Sequence, residues 1–225
     1  MPSVEDDRLN PSSSGSCDHA NPVCTCATSD ADRAALLEKY LDVLAEDGWP
    51  NVLLMPLDEE GKGPVIAGRC RLLKRPEREA LTDEAKSYLR TPSEAVDAVR
   101  AGHRGFCLYA GREDLGTAGL VFTDHDDPDR FPADEHTLTV VSGSGEGYHQ
   151  TFENGGSVRN AKGKKELNGV GEVRADTQYV VLPGSIHPSG GIYHIESNPG
   201  IEQLEPRDLP AELRPGSEGR EATDS

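Results

Sequence analysis

Three short stretches of the chain hold residue types that can do chemistry together. The first is Leu120-Val121-Phe122-Thr123-Asp124-His125-Asp126-Asp127-Pro128. An apolar strand running into Asp-x-Asp sends Asp124 and Asp126 to one face of a sheet, because side chains alternate along a strand. Two oxygen donors on one face suit a hard divalent cation such as Mg²⁺ or Mn²⁺. A solvated acidic turn is the plain alternative in a chain this acidic. Asp127 and Asp129 invite a calcium-loop reading, which Pro128 and the missing glycine break.

The second stretch is Val141-Ser142-Gly143-Ser144-Gly145-Glu146-Gly147-Tyr148-His149, a strand end, a small-residue turn and a histidine. Glycines let backbone N–H groups approach a phosphate, and His149 can donate a hydrogen bond to a phosphate oxygen. No Gly-Lys-Ser/Thr follows, so it is not a P-loop; a tight hairpin is the simpler alternative. The third runs from Lys162 to Gly191. Glu172 and Arg174 share a face of one strand, Asp176 follows in a turn, and Tyr179 to Gly191 reads Tyr-Val-Val-Leu-Pro-Gly-Ser-Ile-His-Pro-Ser-Gly-Gly. Between Gly155 and Asp176, five bases (Arg159, Lys162, Lys164, Lys165, Arg174) stand against three acids. That local reversal of charge points to a phosphate-rich ligand.

Other candidates carry less. Cys17, His19, Cys24 and Cys26 put four soft ligands within ten residues, the donor types of a zinc site, but their spacing fits no common zinc finger. Cys70 reads as a loop thiol and Cys107 as a core thiol. His103, His125, His136 and His194 read as surface or packing histidines, with His125 on the face opposite the two aspartates.

The elements that must position these groups follow from the pattern. Leu37, Tyr40, Leu41 and Leu44 mark a helix over Asp32–Asp47, capped by Ser29 or Asp30 and ended by Gly48. Asn51–Pro56 reads as a short buried strand. Thr91-Pro92-Ser93-Glu94 is a capping box with proline at the first helical position, opening a helix that stops at Gly102. Strands are expected within 105–110, 119–123, 137–141, 170–174, 179–182 and 192–195. Helices early and strands late argue for an α+β domain on a mainly antiparallel sheet. Composition divides the chain into a disordered tail (1–30), a globular domain (31–198) and an acidic, Pro/Gly-rich tail (199–225).

The chain has 225 residues, with 40 acids against 23 bases and a net charge of −17. No apolar run approaches the roughly 18 residues of a membrane span, and the N-terminus lacks the basic start and apolar stretch of a secretory signal. Five cysteines are an odd number, which argues against a disulfide scaffold. A cytoplasmic protein is expected. Acids are spread along the whole chain and arginine outnumbers lysine 16 to 7. Diffuse acid excess of this kind fits a high-salt cytoplasm, where screening shortens repulsion, and it makes global charge a poor guide to nucleic-acid binding.

Taken in order, the three stretches resemble the primase–polymerase (Prim-Pol) domain of the archaeo-eukaryotic primase superfamily. Leu120–Asp126 is similar to its first motif, an apolar strand ending in Asp-x-Asp/Glu. Ser142–His149 is similar to its second, and Gly171-Glu172-Val173-Arg174-Ala175-Asp176 through Gly190 to its third. Gly48-Trp49-Pro50, Met55-Pro56 and Gly61-Lys62-Gly63-Pro64 resemble its opening strand and Gly-Lys-x-Pro turn, so the resemblance covers about residues 32 to 196. It departs at Glu172, where the family usually has aspartate, and at Tyr148, with the motif's small residue falling on Gly147.

The resemblance implies a nucleotidyltransferase that makes or extends primers on a single-stranded DNA template from nucleoside triphosphates. Two Mg²⁺ or Mn²⁺ ions would be held by Asp124, Asp126 and Glu172 as metal ligands and catalytic acids. His149, with Ser144, Gly147, Arg174, Ser185 and His187, would contact the nucleotide, and Lys164 and Lys165 would track the template. A separate replicative helicase would supply unwinding, and with the acidic composition the source would be a haloarchaeon or its mobile element. A non-catalytic nucleotide- or nucleic-acid-binding accessory of replication, and a metal-dependent phosphohydrolase using the same acids, are the competing readings.

Overall fold

The computed structural model describes residues 29–61, 63–65, 83–125, 129, 131–156, 158–162 and 171–214. The 1–28 portion of the N-terminal tail, with the candidate zinc ligands Cys17, His19, Cys24 and Cys26, lies outside the described residues, as do Cys70, Asp126, Lys164 and Lys165.

Helix α1 (Asp30–Glu46) begins where the Ser29 hydroxyl accepts from the Asp32 N–H and the Asp32 carboxylate accepts from the Ser29 N–H. This capping box satisfies donors that no preceding turn can reach. Its apolar stripe buries Leu37, Tyr40, Leu41 and Leu44, and Gly48 turns the chain away at φ +114°. The second box, Thr91 with Glu94, opens α3 (Pro92–Arg100), which packs Ala95, Val96 and Val99 against α1. Between them lie the short strand β1 (Met55–Pro56) and the helix α2 (Asp83–Tyr88).

The rest is mainly strand: β2 (Phe106–Tyr109), β3 (Leu120–His125), β4 (Thr139–Val141), β5 (Tyr148–Asn154), β6 (Ala161–Lys162), β7 (Glu172–Arg174), β8 (Tyr179–Val181), β9 (His194–Ser197) and β10 (Glu202–Leu204). They form two sheets. A small one has the order β1-β2-β8; a larger one has the order β6-β7-β3-β5-β4-β9, with β10 beside the second half of β5. Every pairing is antiparallel except β10 with β5. The α+β architecture expected from the sequence is the one found.

Alternation assigns the layers. Phe106 and Leu108 of β2, Leu120 and Phe122 of β3, and Val180 of β8 join the helices in one core between the two sheets. Cys107 and Tyr109 face the other side of the small sheet, with Met55, Leu57 and Leu115. On the far face of the large sheet, Val121, Phe152 and Val173 are covered by Leu204, Leu209 and Leu213. These last three leucines lie beyond the boundary that composition drew at residue 198. They come from β10 and two single 3-10 turns, where apolar residues are too sparse to make a period. Burying a leucine of this kind contributes about 2 kcal/mol.

Candidate functional site

Three strands of the large sheet bring the chemistry into a single row. Along the antiparallel pairings, Asp124 stands opposite Glu172 on β7 and opposite His149 on β5. Residues directly opposite share a face, with Cβ atoms about 5 Å apart. The row therefore reads Glu172, Asp124, His149 on adjacent strands. The next row on that face holds Arg174, Phe122 and Thr151. Its lower part is sealed by α1, through Phe122 in the core and through the Tyr40 hydroxyl, 2.9 Å from the Thr151 hydroxyl. Above it the face opens.

The opening is a cleft of about 340 Å³ between the two sheets, lined by Asp124, His149 and Arg174 from the large sheet and by Tyr179, Val180 and Val181 from the small one. Ser142, Ser144, Glu146, Gly147 and Tyr148 close one end, and Tyr193 completes the wall. Five residues expected from the sequence to serve the site line it together: Asp124, Ser144, Gly147, His149 and Arg174. Glu172 sits beside them in the row.

Two close backbone approaches make this possible. Gly171 adopts φ +137°, and a Cβ there would collide with the carbonyl oxygen of Asp124, so the strand carrying Glu172 lies tight against β3. Gly143 touches the turn that contains His187. A Cβ at Gly143 would stand 2.5 Å from the His187 Cβ and 2.6 Å from the Gly191 carbonyl oxygen. The second and third stretches of the sequence thus meet backbone to backbone, which only glycine permits.

Arg174 organises the charge. One terminal nitrogen donates to the Tyr179 carbonyl at 2.6 Å, the other to an Asp124 carboxylate oxygen, and its Nε lies 3.4 Å from the Glu172 carboxylate. Like Asp124 and Glu172, it is about three-quarters buried. His149 is 4% exposed, and its buried Nε2 has no hydrogen-bond partner among the described residues. Burial first, then the positive charge of Arg174, depresses its pKa to about 3, so the ring is neutral at ordinary pH. Burial and the nearby Asp124 carboxylate push the Tyr193 phenol up to about 12, which keeps it protonated.

His125 points away from Asp124, as alternation requires. Its ring lies between Phe131 and Tyr148, with centroids at 3.9 and 4.4 Å, and its nitrogens meet the Thr123 hydroxyl at 2.6 Å and the Phe131 carbonyl at 2.9 Å. It packs the opposite face, and burial lowers its pKa to about 4. Ser185 and His187 stand apart from the cleft lining. The buried Ser185 hydroxyl accepts from the Phe106 N–H at 3.2 Å, and His187 Nδ1 lies 2.8 Å from the Ser189 hydroxyl. Seven residues of the lining are not among the site residues expected from the sequence: Ser142, Glu146, Tyr148, Tyr179, Val180, Val181 and Tyr193. Ser142, Glu146 and Tyr148 lie inside the glycine-rich stretch and Tyr179, Val180 and Val181 inside the third, so only Tyr193 carries no signal in the sequence.

The donor set on the row suits a hard divalent cation: two carboxylates on adjacent strands, already drawn to one cation, the Arg174 guanidinium. Among the described residues no group of three His, Cys, Asp or Glu is arranged to hold a metal ion. Asp126 would be the third donor, and it lies outside them. No helix among the described residues is long and apolar enough to cross a membrane.

No curated protein matches the chain. The family model described as bifunctional DNA primase/polymerase, N-terminal (Prim-Pol) matches residues 41–212, which take in all three candidate stretches and the row Glu172, Asp124, His149. A match over most of the chain, with the antiparallel α+β fold just described, makes this protein a member of the Prim-Pol family.

Proposed function

We propose that the protein is a nucleotidyltransferase that synthesises or extends primers on single-stranded DNA from nucleoside triphosphates, using the Glu172–Asp124–His149 row as its centre. The observation that carries this reading is the cleft-lining His149, whose buried Nε2 has no partner among the described residues, in register with two acids on neighbouring strands. A buried nitrogen without a partner is costly, and such a cost is commonly retained where a ligand satisfies it.

In this reading Asp124, Asp126 and Glu172 hold two Mg²⁺ or Mn²⁺ ions, which when bound activate the attacking 3′-hydroxyl and stabilise the leaving pyrophosphate. The neutral imidazole of His149 donates to a triphosphate oxygen. Arg174, Ser144 and the backbone at Gly147 orient the phosphates at the closed end of the cleft, and Tyr179 and Tyr193 wall off water. Ser185 acts by fixing the Phe106 backbone and His187 by shaping the turn against Gly143, both one step behind the nucleotide. Lys164 and Lys165 track the template backbone, and a separate helicase supplies unwinding. Glu172 stands as the third acid, where the family usually has the shorter aspartate.

The second reading, a non-catalytic nucleotide-binding accessory of replication, is favoured by one observation: Arg174 already occupies oxygens that a metal would need. Primer extension on a single-stranded template, in molar potassium salt with Mg²⁺ or Mn²⁺, separates the two. The polymerase reading requires extension by the wild type that vanishes in Asp124→Ala/Asp126→Ala. Nucleotide binding without extension in any salt or metal would support the accessory reading instead.

A further inference from the structure

We propose that Arg174 is a built-in counter-cation of the carboxylate pair: it competes with a divalent ion for Asp124 and Glu172, and it turns toward nucleotide phosphate when displaced. The inference rests on the reading of that pair as metal ligands. Two carboxylates on adjacent strands, each about three-quarters buried, repel one another and lose hydration. The guanidinium set against both relieves that repulsion. A divalent ion needs the same oxygens, and its charge would repel a guanidinium left in contact, so the two cations exclude each other.

The third contact supplies the pivot. Arg174 donates from one nitrogen to the Tyr179 carbonyl at 2.6 Å, an acceptor on β8 of the small sheet that neither acid provides. That bond can persist while the other two nitrogens swing. The side chain lines the cleft beside Ser142, Ser144 and Tyr179, so the swing carries positive charge into the space where phosphates would sit. Nucleotide and metal then bind with positive coupling, because each draws Arg174 from the position that opposes the other.

The test is Mn²⁺ binding to the full chain, read by the loss of free-ion electron paramagnetic resonance signal. It compares wild type, Arg174→Gln, Arg174→Lys and Asp124→Ala without nucleotide. Removing the competing charge should tighten Mn²⁺ binding in Arg174→Gln by about tenfold. Arg174→Lys, which keeps the charge and loses the planar fork, should tighten it by about threefold. Should Arg174→Gln lose cooperative unfolding, the lysine variant carries the test. Mn²⁺ binding that Asp124→Ala abolishes but neither arginine variant tightens would overturn this inference and leave the metal site standing. No Mn²⁺ binding in any variant would overturn both.

Discussion

A Cβ placed on Gly171 would collide with the carbonyl oxygen of Asp124. That single contact sets how closely β7 lies against β3, and so how near the Glu172 carboxylate comes to the Asp124 carboxylate. Gly171→Ala would force the strands apart and place an L side chain at φ +137°. The expected cost is about 2 kcal/mol or more, read as a lowered denaturant midpoint. Mn²⁺ affinity should fall with it. An unchanged midpoint would show that the strands are not in contact as described.

Thr177 is the one described non-glycine residue with positive φ, at 56°. A β-branched side chain is strained there, while its N–H still donates to the Ala110 carbonyl at 3.1 Å. Thr177→Gly keeps that bond and releases the strain. It should stabilise the fold by about 1 kcal/mol, measured by chemical denaturation, without altering nucleotide binding.

Arg33 is 4% exposed and donates to three carbonyls: Gly184 at 2.8 Å, His103 at 2.6 Å and Arg104 at 2.9 Å. It ties α1 to the turn that leads into Ser185 and His187. Arg33→Leu leaves those carbonyls without their donor and should cost about 3 kcal/mol. Limited proteolysis should then cut first within 183–191. Cleavage elsewhere first would place the anchor in another segment.

The buried histidines make stability depend on pH. His149 and His125 have folded pKa values lowered to about 3 and about 4, mainly by burial, against an unfolded value near 6.5. The unfolded chain therefore binds protons that the folded chain refuses. Stability is level above about pH 6.5 and falls as pH drops from there toward 4, by up to about 1.4 kcal/mol per pH unit for each ring. Denaturation midpoints between pH 7.5 and 4.5 should show this slope, and His149→Asn should reduce it. A bound triphosphate would oppose the loss by favouring the protonated ring.

Much of this was legible in the sequence, for physical reasons that can be named. The Thr91–Glu94 capping box, the cap expected at Ser29 or Asp30, the stripe of Leu37, Tyr40, Leu41 and Leu44, and the strand that carries Asp124 are local patterns, and local interactions produce them. The strand β5 was not legible as a strand, because Tyr-His-Gln-Thr-Phe-Glu-Asn carries little apolar signal. Its buried polar groups are satisfied from afar: the Gln150 amide meets the Asp134 carbonyl and the Thr139 hydroxyl at 2.8 and 2.7 Å. Strand register is equally non-local. Asp124 and Glu172 lie 48 positions apart, and only the pairing of β3 with β7 makes them neighbours. Tyr193 enters the cleft because Gly143 and Gly191 let two turns meet, a contact that composition does not announce.

Glu172 is the residue on which the proposed centre turns. Primer extension at saturating nucleotide should be compared for wild type, Glu172→Asp and Glu172→Gln, with nucleotide affinity measured in parallel. If the carboxylate is a ligand in a phosphoryl-transfer site, Glu172→Asp retains extension, and Glu172→Gln loses at least about 100-fold in rate while still folding and binding nucleotide. Extension by Glu172→Gln at the wild-type rate would contradict the account, because the row Glu172, Asp124, His149 would then not be the centre of the reaction.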